Sequence, residues 1–332
     1  MNSLLKQARE DKGLKTREVA QLLKIDQALI SKFESGLRKP TKEQIIKLAN
    51  LLNINLETIL TLWLKEKILH EIKNEKYAFE ALKLVESELL NTAVFKPKTT
   101  ENLQKLLDQI SLLLGKFQEL NTFEIRRITK QLDLLFTYEC NQLNGNSMNF
   151  EETKLIINEG VSIAERSTKE HYEIINFFEA IQYCKESIQQ NNSFSEKELF
   201  KIHSILIQGI EKELKPQEPN DAVYAELKTL FKWYEISKEN IHPIVLAAEA
   251  HIKLMQILPF RNYNNQVAFL VMNWILLQHK FNLTIIQSDS KHKDMYISEL
   301  EKGLVSDNYL DFYLLMAQSQ KDTLEFALSI KN

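Results

Sequence analysis

The nine residues from Leu258 to Gln266 read LPFRNYNNQ and lie between two apolar segments. They carry one guanidinium, one phenol and four amides, but no carboxylate and no histidine. General acid–base chemistry needs a group that titrates near the working pH, and this stretch has none. Arg261 and the nearby Lys253 could hold an anion, although we interpret both more readily as solvated surface cations.

The segments on either side of this stretch are apolar and of helical length. Residues 241–257 read IHPIVLAAEAHIKLMQI, and residues 267–278 read VAFLVMNWILLQ. The whole frame resembles the Fic (Fido) family of AMP-transferring proteins, whose signature HPFx[D/E]GNGRxxR lies between two helices. The spacing agrees without a gap, and the chain keeps three framework residues of the signature: Pro259, Phe260 and Asn264. We expect these three to hold the turn between two core helices.

The chemical positions of the signature are replaced. The resemblance places Leu258 at the His, Asn262 at the acid, Tyr263 and Asn265 at the glycines, and Gln266 and Phe269 at the arginines. In the family, the His is the general base, the acid holds a divalent cation, and the arginines hold phosphate oxygens. Loss of the base alone typically costs ~10²–10⁴-fold in rate, and a neutral amide is a poor magnesium ligand. The resemblance therefore predicts a pseudo-enzyme that uses no cofactor.

Two further family segments are also altered. Residues 136–146 resemble the inhibitory motif [S/T]xxxE[G/N], with Cys140 at the Ser position, Asn144 at the Glu position and Gly145 retained. In the family that Glu pairs with the last arginine of the signature, here Phe269, so the resemblance predicts that both halves of the pair are missing. Residues 211–225 (EKELKPQEPNDAVYA) stand where the family has a β-hairpin flap, but they show no strand alternation.

The N-terminal segment carries a different pattern. Residues 4–53 show five short helical patterns, with Thr16 as an expected N-cap, a small Ala20 in one helix and an apolar Ile25 in the turn that follows. The segment resembles the Cro/C1 (XRE) family of helix-turn-helix DNA-binding proteins along its whole length. Arg9 and Glu34 match an ion pair of that family.

The resemblance implies a recognition helix from about Asp26 to Ser35. Its expected base contacts are Gln27, which can bond adenine with both ends of its amide, and Ala28, which can meet a thymine methyl group. Ser31 and Lys32 can reach bases or phosphates. Phosphate contacts are expected from five further side chains: Thr16, Arg17, Arg38, Lys39 and Lys42. Asp26 would be unfavourable near a phosphate unless it caps the helix.

Charge supports double-stranded DNA as the partner. Residues 1–50 hold 11 Lys and Arg against 6 Asp and Glu, a net charge of +5. Since the whole chain carries −3, the remaining residues carry −8. A basic module on an acidic body is typical of a DNA-binding protein. Proteins of this kind usually bind as dimers on two half-sites, so we expect a homodimer.

Composition limits the fold class. The 332 residues suggest two or three domains, and only 7 Gly and 6 Pro favour an all-α chain with long helices. Cys140 and Cys184 are expected to be buried thiols rather than a disulfide, and no histidines share the i, i+4 spacing of a helical metal site. We see no membrane span and no secretory signal, and therefore expect a cytoplasmic protein.

These observations predict a three-part chain. Residues 1–58 are a five-helix, lambda-repressor-like DNA-binding domain, residues 59–120 a helical connector or dimerisation region, and residues 121–328 a degenerate Fic-like helical domain. The leading interpretation is a sequence-specific transcriptional regulator whose inactive body acts as a sensor, a dimerisation unit or a protein-binding surface. One alternative is an AMP-transferring enzyme with an altered active site. Another is an antitoxin-like or decoy interaction protein.

Overall fold

The computed structural model describes residues 1–91, 100–210, 220–306 and 309–330. Within these ranges the chain is helical and has no β-strand, which confirms the predicted all-α class. The N-terminal helices are α1 (Asn2–Asp11), α2 (Thr16–Leu23), α3 (Gln27–Ser35), α4 (Lys42–Leu52), α5 (Leu56–Ile72) and α6 (Ala78–Asn91). The helices that follow are α7 (Glu101–Gln118), α8 (Thr122–Leu143), α9 (Phe150–Glu159), α10 (Thr168–Gln189), α11 (Glu196–Leu206), α12 (Asp221–Ser237), α13 (Pro243–Ile257), α14 (Asn264–Gln278), α15 (Ser290–Ser306) and α16 (Leu310–Ser329).

The chain divides into two compact units, Met1–Glu88 and Leu89–Asn332. In the first unit, helices α1 to α5 surround one apolar core, which confirms the predicted five-helix domain. Its fully buried members include Val19, Phe33 and Ile59. The fifth helix runs from Leu56 to Ile72, so it crosses the predicted domain limit after residue 58.

One local prediction in this unit is wrong. Thr16 is not the N-cap of α2 but its first helical residue, because Lys15 holds the extended backbone of the capping position (φ −84°, ψ 154°). The Lys15 backbone N–H donates to Glu18 Oε2 over 2.6 Å, so the helix start is stabilised by the acid rather than by the threonine hydroxyl.

The second unit is built around helices α13 and α14. Every residue from Ile244 to Ile252 is buried, as is every residue from Val267 to Leu276. A helix that is apolar on all sides must be covered on all sides, and α8, α10, α11, α12, α15 and α16 pack around this pair. The turn between α13 and α14 is therefore fixed by two rigid, buried supports.

Other predictions have mixed outcomes. Cys140 and Cys184 are buried free thiols, as expected. Within the predicted helical connector, residues 92–99 lie outside the described ranges, and Thr100 caps α7. Of the reduced flap at residues 211–225, residues 211–219 also lie outside them, and α12 begins at Asp221. Among the described helices, none combines the length and apolarity that crossing a bilayer requires. The described residues contain no group of three or more His, Cys, Asp or Glu side chains arranged to hold a metal ion.

Candidate functional site

The turn between α2 and α3 orients the second helix. Lys24 ends α2 in the left-handed region (φ 54°), and Asp26 then caps α3, its Oδ1 accepting the Ala28 backbone N–H over 2.6 Å. This confirms the capping role expected for Asp26, whose carboxylate accepts a hydrogen bond from the helix and is therefore tolerable near a phosphate. At the other end, Gly36 has φ 76°, and a Cβ there would lie 2.5 Å from the Asn2 side chain. Only glycine suits this exit from α3.

Packing beneath the two helices fixes their crossing. Ala20 and Ile30 are buried where α2 and α3 meet, and Ile25 packs against the same core from the turn. Arg9 Nε and Nη2 donate to the two carboxylate oxygens of Glu34 over 2.6 and 2.8 Å, which confirms the predicted ion pair between α1 and α3. A two-point contact of this kind holds α3 at a defined angle as well as in place.

The outward face of α3 carries the expected base-reading side chains. Gln27, Ala28, Ser31 and Lys32 are all exposed. Gln27 Nε2 lies 3.5 Å from Thr16 Oγ1, at the limit of a hydrogen bond, so the amide is only weakly held within the protein. The structure thus brings Thr16 beside Gln27 and leaves the start of α3 open to solvent.

The cations beside this face are not equivalent. Arg17, Arg38 and Lys42 are exposed, and no side-chain hydrogen bond or ion pair engages them within the described residues. Lys39 differs, because its ammonium donates to the backbone carbonyl of Glu66 on α5 over 2.8 Å. Sequence reasoning missed this contact, since its acceptor is a backbone carbonyl that any residue at position 66 would supply. Lys39, a predicted phosphate ligand, therefore also links α5 to the segment after α3 by a hydrogen bond.

The second candidate site is the turn from Leu258 to Tyr263. Leu258 caps α13 in the left-handed region (φ 48°, ψ 61°), and its side chain is 52 % exposed. Tyr263 precedes α14 and is also left-handed (φ 65°). His242 caps the start of α13, its Nδ1 accepting the Ile244 N–H over 3.3 Å.

Asn264 closes the turn on itself. Its Oδ1 accepts the Phe260 backbone N–H over 2.9 Å, and its Nδ2 donates to the Phe260 carbonyl over 2.6 Å. The Phe260 ring stacks on His203 with centroids 3.8 Å apart and planes within 2°. His203 in turn contacts the Asn262 carbonyl through Nε2 at 3.2 Å. Asn264 and Phe260 therefore hold the turn, as the sequence suggested for these two framework residues.

Asn265 takes part in a line of hydrogen bonds that was not foreseen. Its Nδ2 donates to Asn144 Oδ1 over 3.0 Å, and its Oδ1 accepts the Tyr296 hydroxyl. Tyr296 is also 3.0 Å from His251 Nε2. Because tyrosine gives its one proton to Asn265, His251 must donate to the tyrosine oxygen, which places the histidine proton on Nε2. Burial lowers the pKa of His251 to about 3, so the ring is neutral near pH 7.

Asn144 therefore bonds Asn265 and not Phe269, the partner position expected from the sequence. Phe269, the expected partner position, is buried and packs its ring against His251 and Tyr296 at 4.7 and 5.1 Å. Asn144 also donates to the Cys140 carbonyl over 2.7 Å, and burial raises the pKa of the Cys140 thiol well above its usual range. The link between α8 and α14 is therefore a neutral amide pair next to an inert thiol.

Two further polar groups near the turn, Tyr263 and Lys253, have partners within the protein. The Tyr263 hydroxyl donates to Glu173 Oε1 on α10 over 3.0 Å. Lys253 lies 3.4 Å from Glu249 and 5.0 Å above the Trp233 ring, so it is paired rather than simply solvated. Arg261 is exposed, in agreement with the preferred interpretation. Gln266 is half-buried at the start of α14.

Comparisons with known proteins address both sites. A family model for helix-turn-helix proteins matches residues 5–59, and a model for the Fic/DOC family matches residues 193–276. The chain is 27 % identical over 215 residues to a protein adenylyltransferase Fic of Nematostella vectensis, covering 59 % of this chain and 50 % of the relative. It is 26 % identical over 202 residues to the Aedes aegypti counterpart, covering 56 % of this chain and 40 % of the relative. The chain thus spans half or less of these curated relatives.

Solved structures show the same fold at lower identity. A Fic domain-containing signalling protein from Bacteroides thetaiotaomicron superposes with a TM-score of 0.61 at 21 % identity, covering 70 % of this chain and 97 % of that one. Fic-1 from C. elegans (residues 134–508) superposes with a TM-score of 0.62 at 18 % identity, covering 95 % and 98 % of the two chains. The chain therefore joins a helix-turn-helix domain of the kind that binds DNA, at residues 5–59, to a Fic-type helical domain matched at residues 193–276.

Proposed function

We propose that this protein is a sequence-specific transcriptional regulator that binds double-stranded DNA through α2 and α3. The observation that carries the proposal is the exposed start of α3. Gln27 and Ser31 face solvent on a helix that is capped by Asp26 and fixed by the Arg9–Glu34 ion pair. A rigid helix with uncommitted polar side chains at its N-terminal end suits the major groove.

The flanking cations supply the sequence-independent part of the binding. Arg17 and Arg38 are uncommitted and lie on either side of α3 in the sequence, so they can contact phosphates on both sides of the groove. The backbone N–H groups at the start of α2, beside Thr16, add a further phosphate site. One module of this size buries only about 600–1,000 Å² on DNA. We therefore propose a homodimer on two half-sites about 34–36 Å apart.

For the Fic-type domain we propose a binding role without AMP transfer. Two residues at the chemical positions of the signature are engaged within the protein. Asn265 bonds Asn144 and Tyr296, and Tyr263 bonds Glu173. Leu258, at the position of the base, has no titratable group. The domain would instead serve as a sensor, a dimerisation unit or a surface for a protein partner.

The DNA-binding proposal is tested by selecting bound fragments from random DNA with the full chain, then measuring affinities for the selected site and for random DNA. We expect Gln27→Ala to weaken binding to the selected site by about 1–3 kcal/mol and to leave random DNA almost unchanged. Gln21→Ala is the matched control, because Gln21 is an exposed glutamine on α2 outside the expected contacts. Equal losses on both DNAs for Gln27→Ala would refute base reading by this residue.

The proposal for the Fic-type domain is tested with labelled ATP and magnesium. We expect no transfer of labelled AMP to the chain or to proteins of a cell extract, and no rise in melting temperature with ATP. Label incorporated above the level seen with heat-denatured protein would contradict the proposal and favour an enzyme with an altered site.

A further inference from the structure

A cavity of about 250 Å³ lies in the second unit, between α8, the extended segment before α15, and α16. It is lined on one side by apolar groups from Leu135, Ile285 and Phe326 and on the other by polar groups that include Glu139 and Asp322. No residue of the turn from Leu258 to Gln266 lines it. It is therefore separate from the position that the Fic signature would occupy.

Glu139 is the polar centre of this cavity. Its Oε2 accepts the Ser288 backbone N–H over 2.6 Å, and the Ser288 side chain also hydrogen-bonds the carboxylate. The side chain is only partly exposed, and burial raises the pKa of its carboxyl. Since the two oxygens of a carboxylate offer about four lone-pair sites, Glu139 keeps hydrogen-bonding capacity for a ligand in the cavity.

The charge around the cavity is negative. Asp322 adds a second carboxylate, which among the residues that the structure describes accepts one hydrogen bond, from Gln318 Nε2 on its own helix over 2.6 Å. Neither a lysine nor an arginine is among the lining residues. His292 lies at the rim, but its Nδ1 is 2.5 Å from Asp289 Oδ2, so its imidazole is already engaged by an acid.

We propose that this cavity binds a small organic cation, with a primary ammonium group at Glu139 and a short aliphatic part against Leu135, Ile285 and Phe326. An ammonium group would use the remaining lone pairs of Glu139 through a charge-assisted hydrogen bond. An anion would be repelled by both carboxylates, and a neutral alcohol would leave the charge of Glu139 uncompensated. The volume lies below the roughly 300–1,000 Å³ of pockets for drug-sized ligands, so the ligand has only a few heavy atoms.

This proposal goes beyond the DNA-binding function and does not depend on it. It is tested on the full chain by calorimetric titration with n-butylammonium chloride, against n-butanol and sodium butyrate, all at the same ionic strength. We expect saturable binding of n-butylammonium alone. Glu139→Gln should weaken that binding at least tenfold, and Asp322→Asn should weaken it less.

The controls separate binding from damage to the fold. Gln at position 139 retains a carbonyl oxygen for the Ser288 N–H, so the variant should keep the wild-type melting temperature. Glu159→Gln changes an exposed acid on α9 that does not line the cavity, and it should bind n-butylammonium like the wild type. Absence of saturable binding, equal binding of n-butanol, or undiminished binding by Glu139→Gln would each overturn the proposal. If Glu139→Gln does not fold, the same measurement on Asp322→Asn decides, and unchanged affinity would overturn it.

Discussion

The turn between α2 and α3 and the turn between α13 and α14 join helix pairs in different ways. In the first, the polar side chains at the start of the second helix point into solvent, and Gln27 has only a weak internal contact. In the second, the amide oxygen and the amide nitrogen of both Asn264 and Asn265 form hydrogen bonds within the protein. The location of a polar cluster therefore says little about its role until its hydrogen bonds are assigned.

The largest effect is expected at Asn264. Asn264→Ala removes two hydrogen bonds and leaves the Phe260 N–H and carbonyl unsatisfied, which should lower the free energy of unfolding by about 2–4 kcal/mol. Urea denaturation measures this loss. The exposed neighbour Arg261→Ala is the control and should change stability by less than about 0.5 kcal/mol. If Asn264→Ala proved as stable as the control, the amides of this turn would not be structural and the contrast between the two turns would fail.

A pH effect should follow from His251, which belongs to the hydrogen-bond line behind the same turn. Its pKa is near 6.5 when unfolded and about 3 when folded, so the unfolded state binds the proton more readily. Its contribution to stability is complete above about pH 6.5 and falls as pH decreases towards 3. Between pH 7 and 5 the loss should be about 2 kcal/mol.

The variant His251→Gln checks the assignment of this effect. We expect its free energy of unfolding to fall less between pH 7 and 5 than that of the wild type, measured by urea titration at each pH. The partly buried His242 and His279, whose pKa values are also lowered, remain in both proteins and provide the background slope. An unchanged pH dependence would show that His251 is not buried as a neutral ring.

A smaller gain in stability is expected at Leu258. A left-handed leucine costs about 1–2 kcal/mol, and glycine avoids this cost but loses more chain entropy on folding. Leu258→Gly should therefore raise the free energy of unfolding by about 0.5–1 kcal/mol. Leu258→Ala is the matched control and should bring no gain, because alanine is also strained at φ 48°. Destabilisation by glycine would mean that the half-exposed leucine side chain does important packing.

The smallest effect separates two neighbouring cations of the DNA-binding domain. Arg38→Ala should reduce the slope of log affinity against log salt by about one, as expected for one phosphate contact. Lys39→Ala should reduce it less and should also lower the melting temperature, because Lys39 holds the Glu66 carbonyl. Identical slopes and identical melting temperatures for the two variants would contradict the distinction between a phosphate contact at Arg38 and a structural hydrogen bond at Lys39.

Local pattern explains which features could be predicted. The Arg9–Glu34 pair and the Asp26 cap follow from residue types at fixed positions within one known motif. The role of Asn264 followed from its place in a known signature. In contrast, the bond between Asn144 and Asn265 joins residues 121 positions apart, and nothing in an asparagine reveals its partner. The hydrogen bond from Lys39 to Glu66 could not be predicted either, because its acceptor is a backbone carbonyl that any residue would supply.

The line from His251 through Tyr296 and Asn265 to Asn144 has a consequence for how substitutions combine. Each member donates in one direction only, so the orientation of one group dictates that of the next. Removing Asn144 frees Asn265 to turn its amide, which relaxes the demand on Tyr296. Losses at Asn144 and Tyr296 should therefore be non-additive, and a double-mutant cycle of Asn144→Ala and Tyr296→Phe should show a coupling between two groups that both bond Asn265. A site that once resembled a set of replaced catalytic positions then behaves as one cooperative unit of the fold.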